Sequence, residues 1–134
     1  MSGKKIVVDT SVIVAVIANQ PEKASPIEIT RVAELVAPHS VHWEIGNAFS
    51  AMLKRRRITY QDAMKAMEVY GKIPIRFLEV ELSQTLRLAA DLAIYAYDAY
   101  ILRCAQKYRV PLVSLDQNLV AGAKNLGLPI QEVC

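Results

Sequence analysis

Residues 4–14 read Lys-Lys-Ile-Val-Val-Asp-Thr-Ser-Val-Ile-Val, and no other stretch limits the possible folds as strongly. Ile6 to Val8 is continuously apolar rather than alternating, the pattern of a parallel strand buried on both faces. From Thr10 to Asn19 the chain is apolar nearly all round, which predicts a buried helix ended by Pro21. A strand covered on both faces needs helices on both sides of its sheet, so the class is α/β. Asp9 stands at the handover from strand to helix. In an open parallel sheet, ligands bind outside the carboxyl ends of the strands.

The rest of the chain repeats the alternation. Ser25-Pro26-Ile27-Glu28 has the pattern of a capped helix start, with Ile29, Val32, Ala33 and Val36 as an inner face. Leu35-Val36-Ala37 before Pro38 reads as well as a short second strand, since periodicity does not separate the two over so few residues. A helix follows from about Ser40 to Arg56, striped by Ile45, Ala48, Phe49, Met52 and Leu53, with Glu44 and Asn47 one turn apart beside the stripe. Thr59 to Asp62 opens another, with Ala63, Met67 and Tyr70 inward, closed by Gly71 and Pro74. Ile75 to Val80 alternates and predicts a strand nearer an edge. Leu82 to Ile94 is helical, with Leu82, Thr85, Leu86, Ala89 and Leu92 in register. The helix opened by Ala96 carries Ile101, Leu102, Ala105 and Tyr108 on one face. Pro111 to Leu115 is a strand ending at Asp116, Gln117 to Leu126 a helix stopped by Gly127, and Pro129 to Val133 a last short strand. The expected architecture is three-layered, a mainly parallel sheet of about four to five short strands flanked by helices with right-handed crossovers. A chain of 134 residues fits one domain, residues 1–134.

Composition removes several classes. The hydrophobic fraction is 53%, yet no apolar run approaches the ~18 residues of a membrane span. The N-terminus opens on a strand-like run without the apolar core and cleavage site of a secretion signal, which predicts a cytoplasmic protein. Cys104 and Cys134 make no disulfide scaffold and lack Cys or His partners at zinc spacing; Cys104 reads as a small buried hydrophobe. The net charge of +3 permits a polyanionic partner. Lys54-Arg55-Arg56-Arg57 is a compact basic cluster, followed by Lys65, Lys72 and Arg76. It reads either as a solvated helix end facing the macrodipole or as an RNA phosphate-contact surface.

Four acids carry the functional argument. Asp9, Asp98 and Asp116 stand at helix starts, where each alone reads as a cap, and Glu44 alone reads as a surface charge. Asp9 and Asp116 both follow apolar parallel-type strands and project from one edge of the sheet. Glu44 and Asp98 begin helices at the same edge. Four carboxylates at one rim repel at about 4 kcal/mol per close pair at an effective dielectric of 20, unless a cation sits among them. Oxygen ligands without His or Cys suit Mg²⁺ or Mn²⁺ rather than zinc, and such an ion acidifies water and stabilises the leaving oxygen of a phosphodiester. The hydroxyls of Thr10, Ser11 and Ser114 and the amide of Asn47 are placed to orient the carboxylates.

Val7-Val8-Asp9-Thr10-Ser11-Val12-Ile13, then Glu44 with Ile45-Gly46-Asn47-Ala48, then Tyr97-Asp98-Ala99-Tyr100, then Leu112-Val113-Ser114-Leu115-Asp116 together resemble the PIN-domain nucleases, and within them the VapC-type toxins of toxin–antitoxin pairs. The resemblance covers nearly the whole chain in order. It implies a Mg²⁺- or Mn²⁺-dependent endoribonuclease, often a homodimer, silenced by an antitoxin whose tail covers the active site. By motif, Asp9, Glu44, Asp98 and Asp116 fall on the family's acidic positions and Ser11 on its small polar position. Ser114 stands where the family commonly has threonine, and Asn118 where some members carry a fifth acid.

Other readings compete. His42 cannot share a helix face with Glu44 two residues on, and a satisfied surface histidine is the plainer role for it and for His39. Trp43, Tyr97 and Tyr100 read either as stacking rings or as core anchors, with core the expected role. The helix bearing Met64 and Met67 with Tyr60 and Tyr70 is a partner face or ordinary core. An aspartyl-phosphate phosphotransfer protein would carry an aspartate where Ser11 stands, or a lysine after the late strand, and neither is present. A PIN-like binding module would not need four intact acids, and a housekeeping RNA-processing nuclease shares the toxin's chemistry.

Overall fold

The computed structural model describes residues 4–18 and 33–131. The helix start read at Ser25 to Glu28 lies outside them. The elements run β1 (Lys4–Val8), α1 (Thr10–Ile17), β2 (Ala33–Pro38), α2 (Ser40–Lys54), α3 (Tyr60–Gly71), β3 (Ile75–Leu78), α4 (Leu82–Leu92), α5 (Ala96–Tyr108), β4 (Leu112–Val113) and α6 (Gln117–Asn125). The four strands form one sheet in the order β3-β2-β1-β4, every pairing parallel. With the flanking helices this is the three-layer α/β architecture expected from the alternating pattern. Among the described residues, no helix is long and apolar enough to cross a membrane.

The core explains why β1 is central. Ile6, Val7 and Val8 are wholly buried, and α1 buries Val12, Ile13, Ala15 and Ile17 against α2 and α3. Full burial stabilises by about 1.5–3 kcal/mol for each of the larger side chains. On α2 the buried stripe is Val41, Ile45 and Phe49, one turn apart. Thr59 caps α3 in a reciprocal box in which Asp62 takes the place of the usual Glu or Gln. Cys104 is buried on α5, and burial pushes its thiol up to about 12.

Several expectations are corrected. Residues 33–38 are strand throughout, so the helical option for Ala33 and Val36 does not hold; parallel pairing along both edges, with β1 and β3, overrides the local pattern. The strand read over Pro111 to Leu115 is only Leu112–Val113. The strand read from Pro129 reduces, within the described residues, to a single bridge of Ile130 with Leu112. The α4 stripe is turned: Thr85 and Leu88 are buried, whereas Leu82 and Leu86 are exposed. Thr85 satisfies its hydroxyl on the Glu81 carbonyl at 2.8 Å, which lets a polar residue take the inner position.

Three helices are closed by a left-handed residue that is not glycine, Arg56 after α2 at φ 58° and Ala93 after α4 and Arg109 after α5, each at φ 55°. An L-side chain there costs about 1–2 kcal/mol, partly offset by the unfolded-state entropy of glycine. Arg109→Gly is therefore expected to stabilise the fold by roughly 0.5–1 kcal/mol. Urea denaturation would read the gain; a lower midpoint would show that Arg109 contributes packing the cap geometry does not reveal.

Candidate active site

Parallel pairing sets the site. The register aligns Val7 with Leu112 and Val8 with Val113, so the next residues along, Asp9 and Ser114, meet side by side at the carboxyl edge. The Ser114 hydroxyl donates to Asp9 Oδ2 at 2.6 Å. Ser11 Oγ donates to Asp9 Oδ1 at 2.7 Å, and the Val12 N–H donates to the same oxygen at 3.2 Å. Each hydroxyl also accepts a backbone N–H: Ser11 from Leu115 at 3.0 Å, Ser114 from Asp116 at 2.9 Å. Two serines thus stitch the β1–α1 and β4–α6 junctions together around one carboxylate. Asp9 is 6% exposed. Burial raises its pKa, the Ser114 and Ser11 hydroxyls and the Val12 N–H pull it back, and the charge of Asp116 raises it further.

Asp116 is the N-cap of α6, its Oδ1 accepting from the N–H groups of Asn118 at 2.9 Å and Leu119 at 3.3 Å. Asp98 is in the first turn of α5. Because α5 runs back to the start of β4, that turn lies at the carboxyl edge with Asp9. Burial and the Asp116 charge raise the pKa of Asp98. Glu44 sits in the second turn of α2, which starts directly after β2. Burial, and then the charges of Asp9 and Asp98, hold its carboxyl at about 7, against a partial pull downward from the Thr10 and Ser40 hydroxyls. Those hydroxyls face the carboxylate without closing a hydrogen bond, so Thr10 Oγ1, Ser40 Oγ and Glu44 Oε2 are all buried without a partner among the described residues.

Asp9 and Asp98 therefore feel the charge of Asp116, and Glu44 those of Asp9 and Asp98, at one edge of the sheet. Among the described residues no three His, Cys, Asp or Glu are grouped tightly enough to hold an ion as they stand. Like charges oppose closer approach. The donor set, all carboxylate, and the orphaned acceptor of Glu44 suit a hard divalent cation of the Mg²⁺ or Mn²⁺ kind.

Asn47 is exposed one turn along α2 from Glu44 and lines a recess with Thr10, Trp43, Glu44, Ala48 and Tyr97. Lys54, Arg55, Arg56 and Arg57 are exposed at the far end of α2. A helix rises about 1.5 Å per residue, so Lys54 is about 15 Å along the axis from Glu44. The cluster is not part of the acid-bearing rim. His42 hydrogen-bonds Tyr70 at 2.8 Å and packs edge-on against Phe77, a surface role. Met67 and Tyr70 pack against the core, while Tyr60 and Met64 stay exposed on α3. Trp43 and Tyr97 are not core anchors, being 73% and 59% exposed. Size suggested burial; both residues lie off the inner stripes of their helices.

The PIN-domain family profile matches residues 6–125. No curated protein matches by sequence comparison. Among solved structures, PAE2754 from Pyrobaculum aerophilum is similar at 24% identity with TM-score 0.69, over 89% of this chain and 79% of that one. The Mycobacterium tuberculosis toxin VapC20, described as cleaving the sarcin–ricin loop, is similar at 16% identity with TM-score 0.62, over 87% and 93%. VapBC2 from Rickettsia felis, bound to a DNA fragment of its promoter, is similar at 14% identity with TM-score 0.66, over 95% and 97%. With the profile spanning most of the chain and the acid-bearing motifs in order at one edge of a parallel sheet, the protein belongs to the PIN-domain family of nucleases.

Proposed function

We propose that this chain is a Mg²⁺- or Mn²⁺-dependent endoribonuclease that hydrolyses RNA phosphodiester bonds, acting as the toxin of a type II toxin–antitoxin pair with a cognate antitoxin as its partner. The observation that carries it is the set of acids at the carboxyl edge of one parallel sheet, where burial first, and neighbouring carboxylates after it, raise Asp9 and Asp98 and hold Glu44 at about 7. Perturbed acids gathered at the ligand-binding edge of a parallel sheet mark a functional site. Asp9, Glu44, Asp98 and Asp116 would hold the cation. Bound there, it would supply Lewis acidity, acidifying water and neutralising charge on the phosphoryl group.

The protein's own contribution is order. Ser11 and Ser114 fix the plane of the Asp9 carboxylate. The α6 N-terminus holds one oxygen of Asp116 and leaves the other free for a ligand. Thr10 and Asn47 offer polar groups on the approach to Glu44, and Lys54 to Arg57 suit phosphates of the same strand well away from the cleaved bond. Phosphorylation of Asp9 fits poorly, since both its oxygens already accept hydrogen bonds in a buried place. The likeness to VapC20 and to VapBC2 supports the toxin reading, and the proposal includes a homodimer.

Incubation of purified protein with unstructured RNA and millimolar Mn²⁺ should give products ending in 5′-phosphate, the signature of attack by water. Chelation should stop the reaction. Products with cyclic phosphate ends, or cleavage untouched by chelator, would overturn the mechanism.

A further inference from the structure

Two exposed aromatic rings border the acids and have no part in the chemistry above. Trp43 directly precedes Glu44 and keeps 73% of its surface exposed; Tyr97 directly precedes Asp98 and keeps 59%. Both line the recess that holds Thr10, Glu44 and Asn47. Both also line a second recess, walled by Pro38, Leu78, Val80 and Tyr100. The two rings are thus the shared wall between an acid-bearing recess and an apolar slot. Each is braced: Tyr100 stands edge-on to Tyr97 at 6.3 Å, and His42 edge-on to Trp43 at 4.8 Å.

Large rings left in water beside an apolar slot mark a binding surface, and Trp and Tyr dominate such surfaces because they are rigid and amphipathic. A nucleotide offers the matching shape, with a charged phosphate on one side and a flat uncharged base on the other. Glu79 lines the slot and repels a phosphate there, which leaves the slot to the base. A base inside a duplex cannot turn its face to a protein ring, whereas an unpaired one stacks on aromatic side chains with little regard to sequence. We propose that Trp43 and Tyr97 form a base-stacking slot for the unpaired nucleotide adjoining the scissile phosphate. This rests on the nuclease reading and adds the two side chains that seat the base.

Trp43 is the single tryptophan, so its emission reports the slot directly. The full-length Asp98→Asn protein is titrated with a short unstructured RNA, a blunt-ended RNA duplex of the same composition, and an abasic ribose-phosphate oligomer. The unstructured RNA quenches Trp43; the other two do not. In the otherwise wild-type enzyme, Trp43→Ala and Tyr97→Ala each raise KM on single-stranded RNA about tenfold with kcat within about twofold, and Trp43→Phe recovers most of the loss. Both rings are exposed, so the fold survives their removal. Equal quenching by the abasic oligomer, or a wild-type KM in both alanine variants, would overturn the slot and leave these rings to a protein partner. Failure of the wild type to cut any RNA sinks the nuclease reading separately, while quenching confined to the unstructured RNA would still support the slot.

Discussion

Asp98→Asn is expected to reduce RNA cleavage by roughly 10³-fold, about 4 kcal/mol of transition-state stabilisation, while the thermal midpoint of the cation-free protein stays level or rises. The two halves come from different features of the same residue. Among the described residues no hydrogen bond ties the Asp98 side chain down, and its surroundings already disfavour its charge through burial and Asp116. An amide of the same shape removes a repelling charge and breaks nothing, so the fold gains if it changes at all. A cation held by carboxylates nevertheless loses a hard anionic ligand, and the chemistry loses its positioning. Asp9→Asn is the poorer test. Asp9 accepts from Ser11, Ser114 and Val12, and an amide nitrogen turned toward any of these donors would damage the junction of β1 and β4 as well as the site. Single-turnover cleavage alongside thermal unfolding separates the cases. Near-wild-type cleavage by Asp98→Asn would remove Asp98 from the site, and loss of activity together with loss of fold would give it a structural role instead.

The part of this site legible in the sequence is the part set by local rules. Ile6 to Val8 had to be a buried parallel strand because nothing in it alternates, and Asp9 and Asp116 had to lie at one edge once both strands were parallel. Thr59 to Asp62 announced a helix start. What depended on distant register was less visible. The contact of Ser114 with Asp9 joins residues 105 positions apart and exists because Val8 pairs with Val113. That one contact also explains the shortness of β4: the chain must leave the ladder after Val113 for the Ser114 hydroxyl to reach Asp9 and receive the Asp116 N–H. Trp43 is exposed despite its size for a related reason. Hydrophobic size argues for burial, but the α2 face is chosen by Val41, Ile45 and Phe49, and Trp43 falls outside it. The basic run at Lys54 was plain in composition; its distance from the acids follows only from where α2 begins.

Without divalent cation, the protein is expected to lose stability as pH rises from about 4.5 to about 7, and Glu44→Gln to remove most of that loss. Folding raises the Glu44 carboxyl from its ordinary 4.5 to about 7, first by burial and then by Asp9 and Asp98. The folded state therefore binds this proton more tightly than the unfolded state. Its contribution to stability is complete below about pH 4.5, fades across the interval, and is gone above about pH 7. Each pKa unit is about 1.36 kcal/mol, but Glu44 is only half-buried and solvent screening holds its share to about 2 kcal/mol. Asp9 and Asp98, also raised, add in the same direction. At pH 4 the wild type and Glu44→Gln should unfold together in chelator, since a protonated carboxyl and an amide are alike. At pH 8 the variant should be the more stable by about 2 kcal/mol. Millimolar Mn²⁺ should then reverse the order, because ligand binding stabilises the folded state by mass action and the variant has one anionic ligand fewer. Urea midpoints at both pH values, with chelator and with Mn²⁺, read all four states. Parallel profiles for the two proteins would mean that Glu44 neither carries the strain nor joins the cation. The predicted crossing would identify the rim as a place where stability is given up in the free protein so that a cation can be held.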